Sequence, residues 1–569
     1  MRRPNDDRGR GRGLAAAVLL ILPSLAAAPR AGAESDGGDR LAWTLRTRVE
    51  VPGTGGQFRA VERPASWEPK RTAIIVCDMW DLHHGLNATR RGAELAPVLD
   101  RVLRAARDRG VLIIHAPSSC MASYTDHPAR KRAQETPRSR RLPADIGQWC
   151  DQIPSEERGA YPIDQTDGGE DDDPAEHARW AAKLAALGRN PRAPWQAQTA
   201  ALGIDPDADV ISDDGAEIWS VLEARGIDHV VLLGVHANMC VLGRPFGLRQ
   251  MAKNGKDVVL MRDVTDTMYN PARAPYVSHF SGTDLIVEHV EKYVCPTVTS
   301  AQLLGGEPFR FAGDRRPHVA VLIAEDEYRT ERTLPEFAAS ELARDFRVSL
   351  VFGDPQAGLP GIAVLDEADL AVVSVRRRVL PAAQLAALRR FVARGQPLIG
   401  IRTASHAFAP RGDTPPPQGT EAWTEFDAEV LGGSYHGHHG AGPKVAVTPA
   451  AEAAAHPILA GVDVAALAGN GSLYKVRPLK ESATPLLVGS IPGQPSEPIA
   501  WTNLSAAGGR VFYTSLGHPD DFRSPAFRSL LRNAAWWAVG RAVPTTGTTA
   551  GSPDAPRVSI QDAPAGGRR

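Results

Sequence analysis

Cysteine is scarce in this chain. Five residues in 569, at positions 77, 120, 150, 240 and 295, are too few and too scattered for a disulfide scaffold. No CxxC or Cys/His spacing of a zinc site occurs either. The odd count is consistent with a free thiol, and an oxidising compartment would leave Cys120 and Cys150 open to pairing. Net charge is nearly absent as well. A formal charge of −1 and a pI of about 7.0 give no basis for a nucleic-acid partner. Beyond Ala28 no apolar run is long enough to cross a bilayer, so no membrane span is expected in the mature chain. No repeat of solenoid length is visible.

The exceptional apolar run is at the start. MRRPNDDRGRGRG is followed by Leu14 to Ala28 and then by small residues at Ala31 and Ala33. A basic start, a short hydrophobic run broken by Pro23 and a small-residue exit describe a secretory signal peptide over 1–33 rather than an anchor. Export to a bacterial periplasm or to the cell exterior is the expectation. A chain this long is expected to hold two domains, and its Thr/Gly/Ser/Pro/Ala-rich end, 544–569, reads as a disordered tail.

The most informative stretch is HVVLLGVHANMCVLGRPFGLRQMAKNGKDVVLMRD, from His229 to Asp263. An apolar strand, a turn carrying Cys240, a helix pattern over 241–254 and a second apolar run make a β-α-β unit. A cysteine between strand end and helix start meets free backbone N–H groups and the helix dipole, which favour a thiolate. Spacing alone leaves a nucleophile and a buried structural cysteine equally open. Earlier, Arg71 to Val76 reads as a buried strand ending in Cys77-Asp78-Met79-Trp80-Asp81, with His83 and His84 close behind. A carboxylate at the C-terminal end of a parallel strand points into the crevice where ligands bind, although Asp78 is equally suited to a turn or helix cap.

GVHANMCV resembles the strand-turn-helix signature of the isochorismatase-like cysteine hydrolases, which include nicotinamidases and N-carbamoyl hydrolases, and the resemblance runs from about Thr72 to Ser300. It implies Cys240 as nucleophile, Asp78 as the base that deprotonates it, a cis peptide between Val235 and His236, and an oxyanion held by backbone N–H groups around Met239 and Cys240. It also implies a lysine ahead of the helix preceding the cysteine strand. Here that region reads Asp209-Val210-Ile211-Ser212-Asp213-Asp214 and has none. Arg244 or His236 is left to supply the charge, unless the chemistry is altered or the domain binds without turnover. Trp80, His83, His84, Arg244 and Asp263 are the expected substrate-lining residues. No cofactor is required. A divalent metal of the nicotinamidase kind would fall to Asp81, His83, Asp126 and His127, for which a solvent-facing or substrate-lining role is the competing reading.

Between 134 and 203 no strand pattern is visible, and the acidic run Asp167 to Asp173 lies inside this insertion. Such a length is usual for a lid or binding loop, and a run of like charge is most often solvated, with a cation-binding or substrate-closing loop as the functional alternative. The boundary with the next domain is placed in the polar stretch around Gly313, giving domains over 34–312 and 313–543.

The second domain again alternates strands and helices, so the fold class expected overall is α/β with two doubly wound three-layer α/β/α domains. Its fourth strand, Pro397 to Ile401, is followed by Arg402-Thr403-Ala404-Ser405-His406, the turn where class I glutamine amidotransferase folds place a cysteine; none is present. His456-Pro457-Ile458-Leu459, Pro498 to Thr502, Gly509 to Thr514 and Leu516 to Phe522 resemble the ThuA-like, trehalose-utilisation domains over about Pro317 to Gly540. That resemblance implies the flavodoxin and amidotransferase type of sheet without its cysteine, and a sugar-related role. Arg402, His406 and His518 are the crevice candidates, with His436, His438 and His439 nearby in sequence. Two functions stand side by side: an exported cysteine hydrolase acting on a small amide, carbamoyl or vinyl-ether substrate, and a noncatalytic protein that binds a ligand such as a saccharide. A small-molecule substrate, a carbohydrate at the second domain and a homo-oligomer complete the set of partners left open.

Overall fold

Thr72–Cys77 reads TAIIVC and is buried along its whole length, a run with no polar face that needs cover on both sides. It receives that cover. Ala73, Ile75 and Cys77 enter one apolar cluster, and Ile74 and Val76 enter another on the opposite side of the sheet. The same two-residue period recurs in the second domain, where Val319, Val321 and Ile323 face one core and Ala320, Leu322 and Ala324 the other. The structure, a computed structural model, describes residues 40–412, 415–451 and 453–544. The signal peptide expected over 1–33 and nearly all of the tail expected over 544–569 lie outside the described residues.

The first domain contains strands β1 (Leu41–Glu50), β2 (Phe58–Trp67), β3 (Thr72–Cys77), β4 (Leu112–Ala116), β5 (Val210–Ile211), β6 (His229–Val235), β7 (Asp257–Asp266) and β8 (Thr297–Val298). They form one sheet in the order β2-β1-β8-β7-β6-β3-β4-β5. From β8 to β5 the strands are parallel, and β1 and β2 add an antiparallel edge. The chain runs outward from β3 through β4 to β5, and then returns to the other side of β3 for β6, β7 and β8. The topological switch point is therefore between β3 and β6, where a crevice opens beyond the strand ends. Helices α1 (Leu86–Asp108), α2 (Pro128–Glu135), α3 (Pro174–Ala186), α4 (Gly215–Ala224), α5 (Leu248–Lys253), α6 (His279–Tyr293) and α7 (Ala301–Leu304) accompany this sheet.

The second domain holds β9 (His318–Ala324), β10 (Arg347–Phe352), β11 (Leu370–Val375), β12 (Leu380–Pro381), β13 (Leu398–Ile401), β14 (Thr420–Glu421), β15 (Val445–Pro449), β16 (Ala468–Gly469), β17 (Thr484–Ser490), β18 (Glu497–Leu504) and β19 (Arg510–Thr514). Nine of these form a mixed sheet in the order β10-β9-β11-β13-β19-β18-β17-β15-β16, and β12 pairs with β14. The strands from β10 to β19 are parallel and the rest antiparallel. Its helices are α8 (Thr330–Phe337), α9 (Ala382–Ala393) and α10 (Pro525–Ala538). Within the described residues the two sheets belong to a single compact unit. Arg316 bridges them, donating to Asp284 at 2.9 Å and to Ser281 at 2.7 Å, and Arg59 pairs with Asp354 at 3.4 Å.

The structure adds to and corrects the sequence reading. Ahead of β3 the chain forms the β1–β2 hairpin, whose first strand alternates buried Leu41, Trp43 and Leu45 with exposed residues. The helix expected over 241–254 is split into a wide turn, Ala237–Val241, and the short α5. Pro245 lacks the N–H that a continuous helix would use, and Gly247 bonds to the Arg244 carbonyl at 2.7 Å. Cys120 and Cys150 are both free. Finally, the acidic run is folded into the domain: Asp172 caps α1 by accepting from Leu86 and Asn87 at 2.7 Å each, and Asp171 forks onto Arg91.

Candidate active site

Asp78 follows β3 immediately, with its backbone in the left-handed region at φ 47°. Aspartate tolerates that conformation better than most residues, and it swings the carboxylate into the crevice at the switch point. One carboxylate oxygen accepts from the Ser118 N–H at 2.8 Å. The other accepts from Arg244 Nε at 3.3 Å. Cys240 stands in the turn after β6, the neighbouring strand, near enough to Asp78 for the two side chains to act on each other's titration. Sequence residues 162 positions apart thus meet because β3 and β6 pair in parallel with Cys77 opposite Gly234. At Gly234, where φ is 100°, a Cβ would come within 2.2 Å of the Cys77 carbonyl, so only glycine lets the strands approach here. The Val235–His236 peptide is cis, as the resemblance implies.

The cation beside this pair is Arg244. It hydrogen-bonds to Asp78, its charge favours the ionised form of Cys240, and its guanidinium lies 5.5 Å from the Trp149 ring. Burial pushes the Asp78 carboxyl up, while Arg244, Cys240 and the hydrogen bond from Ser118 pull it back in part. Burial, followed by the Asp78 charge, pushes the Cys240 thiol well up, with Arg244 opposing. Burial thus works against the thiolate that its place at a strand end favours. Desolvation outweighs the short helical turn here.

Aromatic groups wall the site. Trp80 stacks on Trp195 with centroids 4.4 Å apart, His83 lies 4.1 Å from His84, and His236 meets His83 edge-on at 5.0 Å. Trp149 and Trp195 come from the 134–203 insertion, whose featureless sequence gave no sign of this role. His83 and His236 are held neutral by burial, the latter down to about 4. Behind them, Asp266 binds Arg91 at 2.7 Å and His279 at 2.8 Å, a buried network that sequence spacing did not reveal.

Other expected residues are placed differently. The Met239 N–H already donates to the His236 carbonyl at 3.0 Å, so it is not a free oxyanion donor. Val235 is an apolar core residue at the end of β6. Asp263 accepts from Ser300 and Phe309, fastening β7 to the segment after β8. The four metal candidates do not converge. Asp81 pairs with Arg189 at 2.9 Å, His83 Nδ1 accepts from Gly85, Asp126 is exposed, and His127 Nδ1 caps α2. Among the described residues, the set within metal-ligating reach is Glu170, Asp172 and His177.

In the second domain a cavity of about 490 Å³ opens past the ends of β9, β11 and β13, lined by Tyr328, Arg377, His406, Tyr435, Tyr474 and His518 among others. It lies in a different domain from Cys240, so its size has no bearing on the cysteine chemistry. Arg402, in the left-handed region at φ 45°, sits just behind it with its guanidinium 4.2 Å from the Tyr328 ring. His406 stacks on Tyr435 at 4.6 Å. His438 also lines this cavity, whereas His436 and His439 are not among its lining residues.

Residues 319–538 match the family model of ThuA, trehalose utilisation. No curated protein matches the chain. Among solved structures, a ThuA-like protein from Bacteroides uniformis is similar at 16% identity over 42% of this chain and 97% of its own, with a TM-score of 0.31. A cysteine hydrolase from Pseudomonas syringae pv. phaseolicola is similar at 18% identity over 42% of this chain and 93% of its own, TM-score 0.26. N-carbamoylsarcosine amidase from Thermoplasma acidophilum is similar at 13% identity over 40% and 96%, TM-score 0.22.

Proposed function

We propose that the first domain is a cysteine hydrolase that cleaves a small amide or carbamoyl substrate, and that the protein is exported. The observation that carries this reading is the meeting, at the paired ends of β3 and β6, of a base, a nucleophile and a cation: Asp78, bonded to Arg244, beside Cys240. As a carbonyl carbon is brought to Cys240 Sγ, Asp78 takes the thiol proton and the sulfur attacks, forming the C–S bond. The tetrahedral oxyanion collapses, the C–N bond breaks, and Asp78 returns the proton to the departing nitrogen. Water, deprotonated by Asp78, then attacks the thioester and releases the acid and the thiol. Arg244 balances the charge on the sulfur and carboxylate, the task assigned by the family resemblance to a lysine. The nucleophile and base are both side chains, so the scheme needs no cofactor.

The missing lysine motivated a noncatalytic reading, and Arg244 weakens that motive by occupying a cationic place from the other side of the cysteine. The stacked Trp80 and Trp195 pair and the neutral His83 and His236 suit a planar, uncharged group. The ThuA segment serves as an accessory domain that holds a carbohydrate. A screen of primary amides and N-carbamoyl compounds, following release of ammonia, tests the reading. Turnover that disappears in Cys240→Ser and in Asp78→Asn supports it; turnover that persists in Cys240→Ser removes the nucleophile and with it the proposal.

A further inference from the structure

Several arginines inside the described fold have a carboxylate partner. Arg91 has Asp171 and Asp266, Arg249 has Glu156, and Arg316 has Asp284 and Asp314. Arg402 does not. It is 3% exposed, and its protein hydrogen bonds are all to neutral groups: the Ser515 carbonyl at 2.6 Å, the Tyr328 hydroxyl at 3.0 Å and the Ser472 hydroxyl at 3.5 Å. Its Nε has no partner. The guanidinium is clasped between the rings of Tyr328 and Tyr474, at 4.2 and 4.7 Å. At Gly471 a Cβ would approach Arg402 Nη2 to 2.2 Å, so the facing loop is cut back to make room for this one side chain. A buried charge without a counter-ion is costly, and a position held at such cost is characteristic of a binding group awaiting its ligand.

The surroundings extend the same field. Arg377, also left-handed at φ 49°, lines the cavity and has the Pro410 carbonyl, not a carboxylate, as its partner. Arg376 is neutralised by Glu327 at 2.7 Å, which engages that carboxylate of the cavity wall. His406 is driven down to about 3 by burial and by Arg377, Arg376, Arg402 and Arg411. The remaining wall, with Tyr435, Tyr474, Asn470 and Ser472, offers rings and neutral polar groups, and its volume of about 490 Å³ suits a ligand of monosaccharide size.

We propose that this cavity takes a small saccharide bearing an acid group, the anion received by Arg377 in the field of Arg402 behind the wall, and the hydroxylated body by the tyrosines and the Asn470–Ser472 loop. Only the body of the ligand rests on the carbohydrate reading of the ThuA segment; the anion rests on the arginines alone.

Calorimetric titration of the full-length protein with glucuronate, inorganic phosphate and glucose separates the two. Glucuronate is expected to bind at least tenfold more tightly than glucose, more weakly as salt rises, and to lose roughly tenfold or more in Arg377→Asn and in Arg402→Gln, with Cys240→Ser unchanged. Asparagine tolerates the left-handed backbone, so Arg377→Asn keeps the test valid even where Arg402→Gln fails to fold. Phosphate binding without glucuronate binding supports the anion site and rejects the saccharide. Glucose binding as tightly as glucuronate, binding unaltered in Arg377→Asn, or no binding of either anion overturns the proposal.

Discussion

Arg244 Nε lies 3.3 Å from Asp78 Oδ2, and this is the ion pair against which the buried carboxylate beside Cys240 is held. The two residues have opposite claims on stability. Asp78 is fully buried and its carboxyl is raised by that burial, so its ionisation works against folding, and the deficit grows as pH rises through the folded pKa. Asp78→Asn is accordingly expected to raise the melting temperature at pH 7, with the gain vanishing below about pH 4, where the unfolded carboxyl is also protonated. Arg244→Gln should do the reverse at pH 7, costing about 1–3 kcal/mol, because it leaves the carboxylate unpaired. Melting curves of both variants at pH 4 and pH 7 check this.

A second buried charge fastens the insertion. Glu156 accepts from Arg249 twice at 2.8 Å and from His289 at 2.8 Å. Burial alone would raise its carboxyl, but His289 and Arg249 outweigh it and hold it down at about 2. A depressed carboxyl contributes stability that is present above its unfolded pKa, about 4.3, and lost as pH falls toward 2. Glu156→Gln is therefore expected to lower stability at pH 7 by about 3 kcal/mol, typical of breaking a buried pair, and to flatten the acid denaturation curve between pH 4 and 2. Denaturant titration at several pH values measures it.

Glu170 has the opposite sign. Burial first, and then Asp172, raise its carboxyl to about 7. Its ionisation costs stability as pH rises from the unfolded value through 7, so Glu170→Gln should stabilise the protein at pH 8 and do so much less at pH 5. The same substitution removes a member of the Glu170, Asp172 and His177 set. Thermal scans at the two pH values, with and without added zinc, record both effects; equal melting shifts at pH 5 and pH 8 would contradict the assignment.

The parallel cores were legible because all-apolar runs such as TAIIVC and HVVLLGV admit no other environment, and Asp78 and Cys240 were legible because each stands at the end of such a run. The hairpin β1–β2 was not, since β2 shows little buried apolar alternation: most of its positions are half-buried or exposed. Arg244 was named only as one of two candidates. Its cationic role depends on the chain break at Gly243 to Gly247, where a Cβ on Gly243 would strike the Trp149 ring at 2.4 Å. That contact joins the insertion to the cysteine turn, and no local pattern in either segment announces it. The upward push of burial on the Cys240 thiol was hidden for a related reason: helix position can be read from sequence, but depth of burial cannot.

The measurement that tests the central claim most directly is the pH dependence of iodoacetamide labelling at Cys240, site-assigned by mass spectrometry, in the unaltered protein, Asp78→Asn and Arg244→Gln. With the thiol pushed up by burial and by Asp78, and down by Arg244, labelling of the unaltered protein should lag a free thiol of pKa about 8.5 at pH 7. Removing the Asp78 charge should shift the profile to lower pH, and removing Arg244 should shift it to higher pH. A profile that does not move in either variant would show that the three side chains do not act on one another, and the account of Cys240 as a base-activated nucleophile would fail.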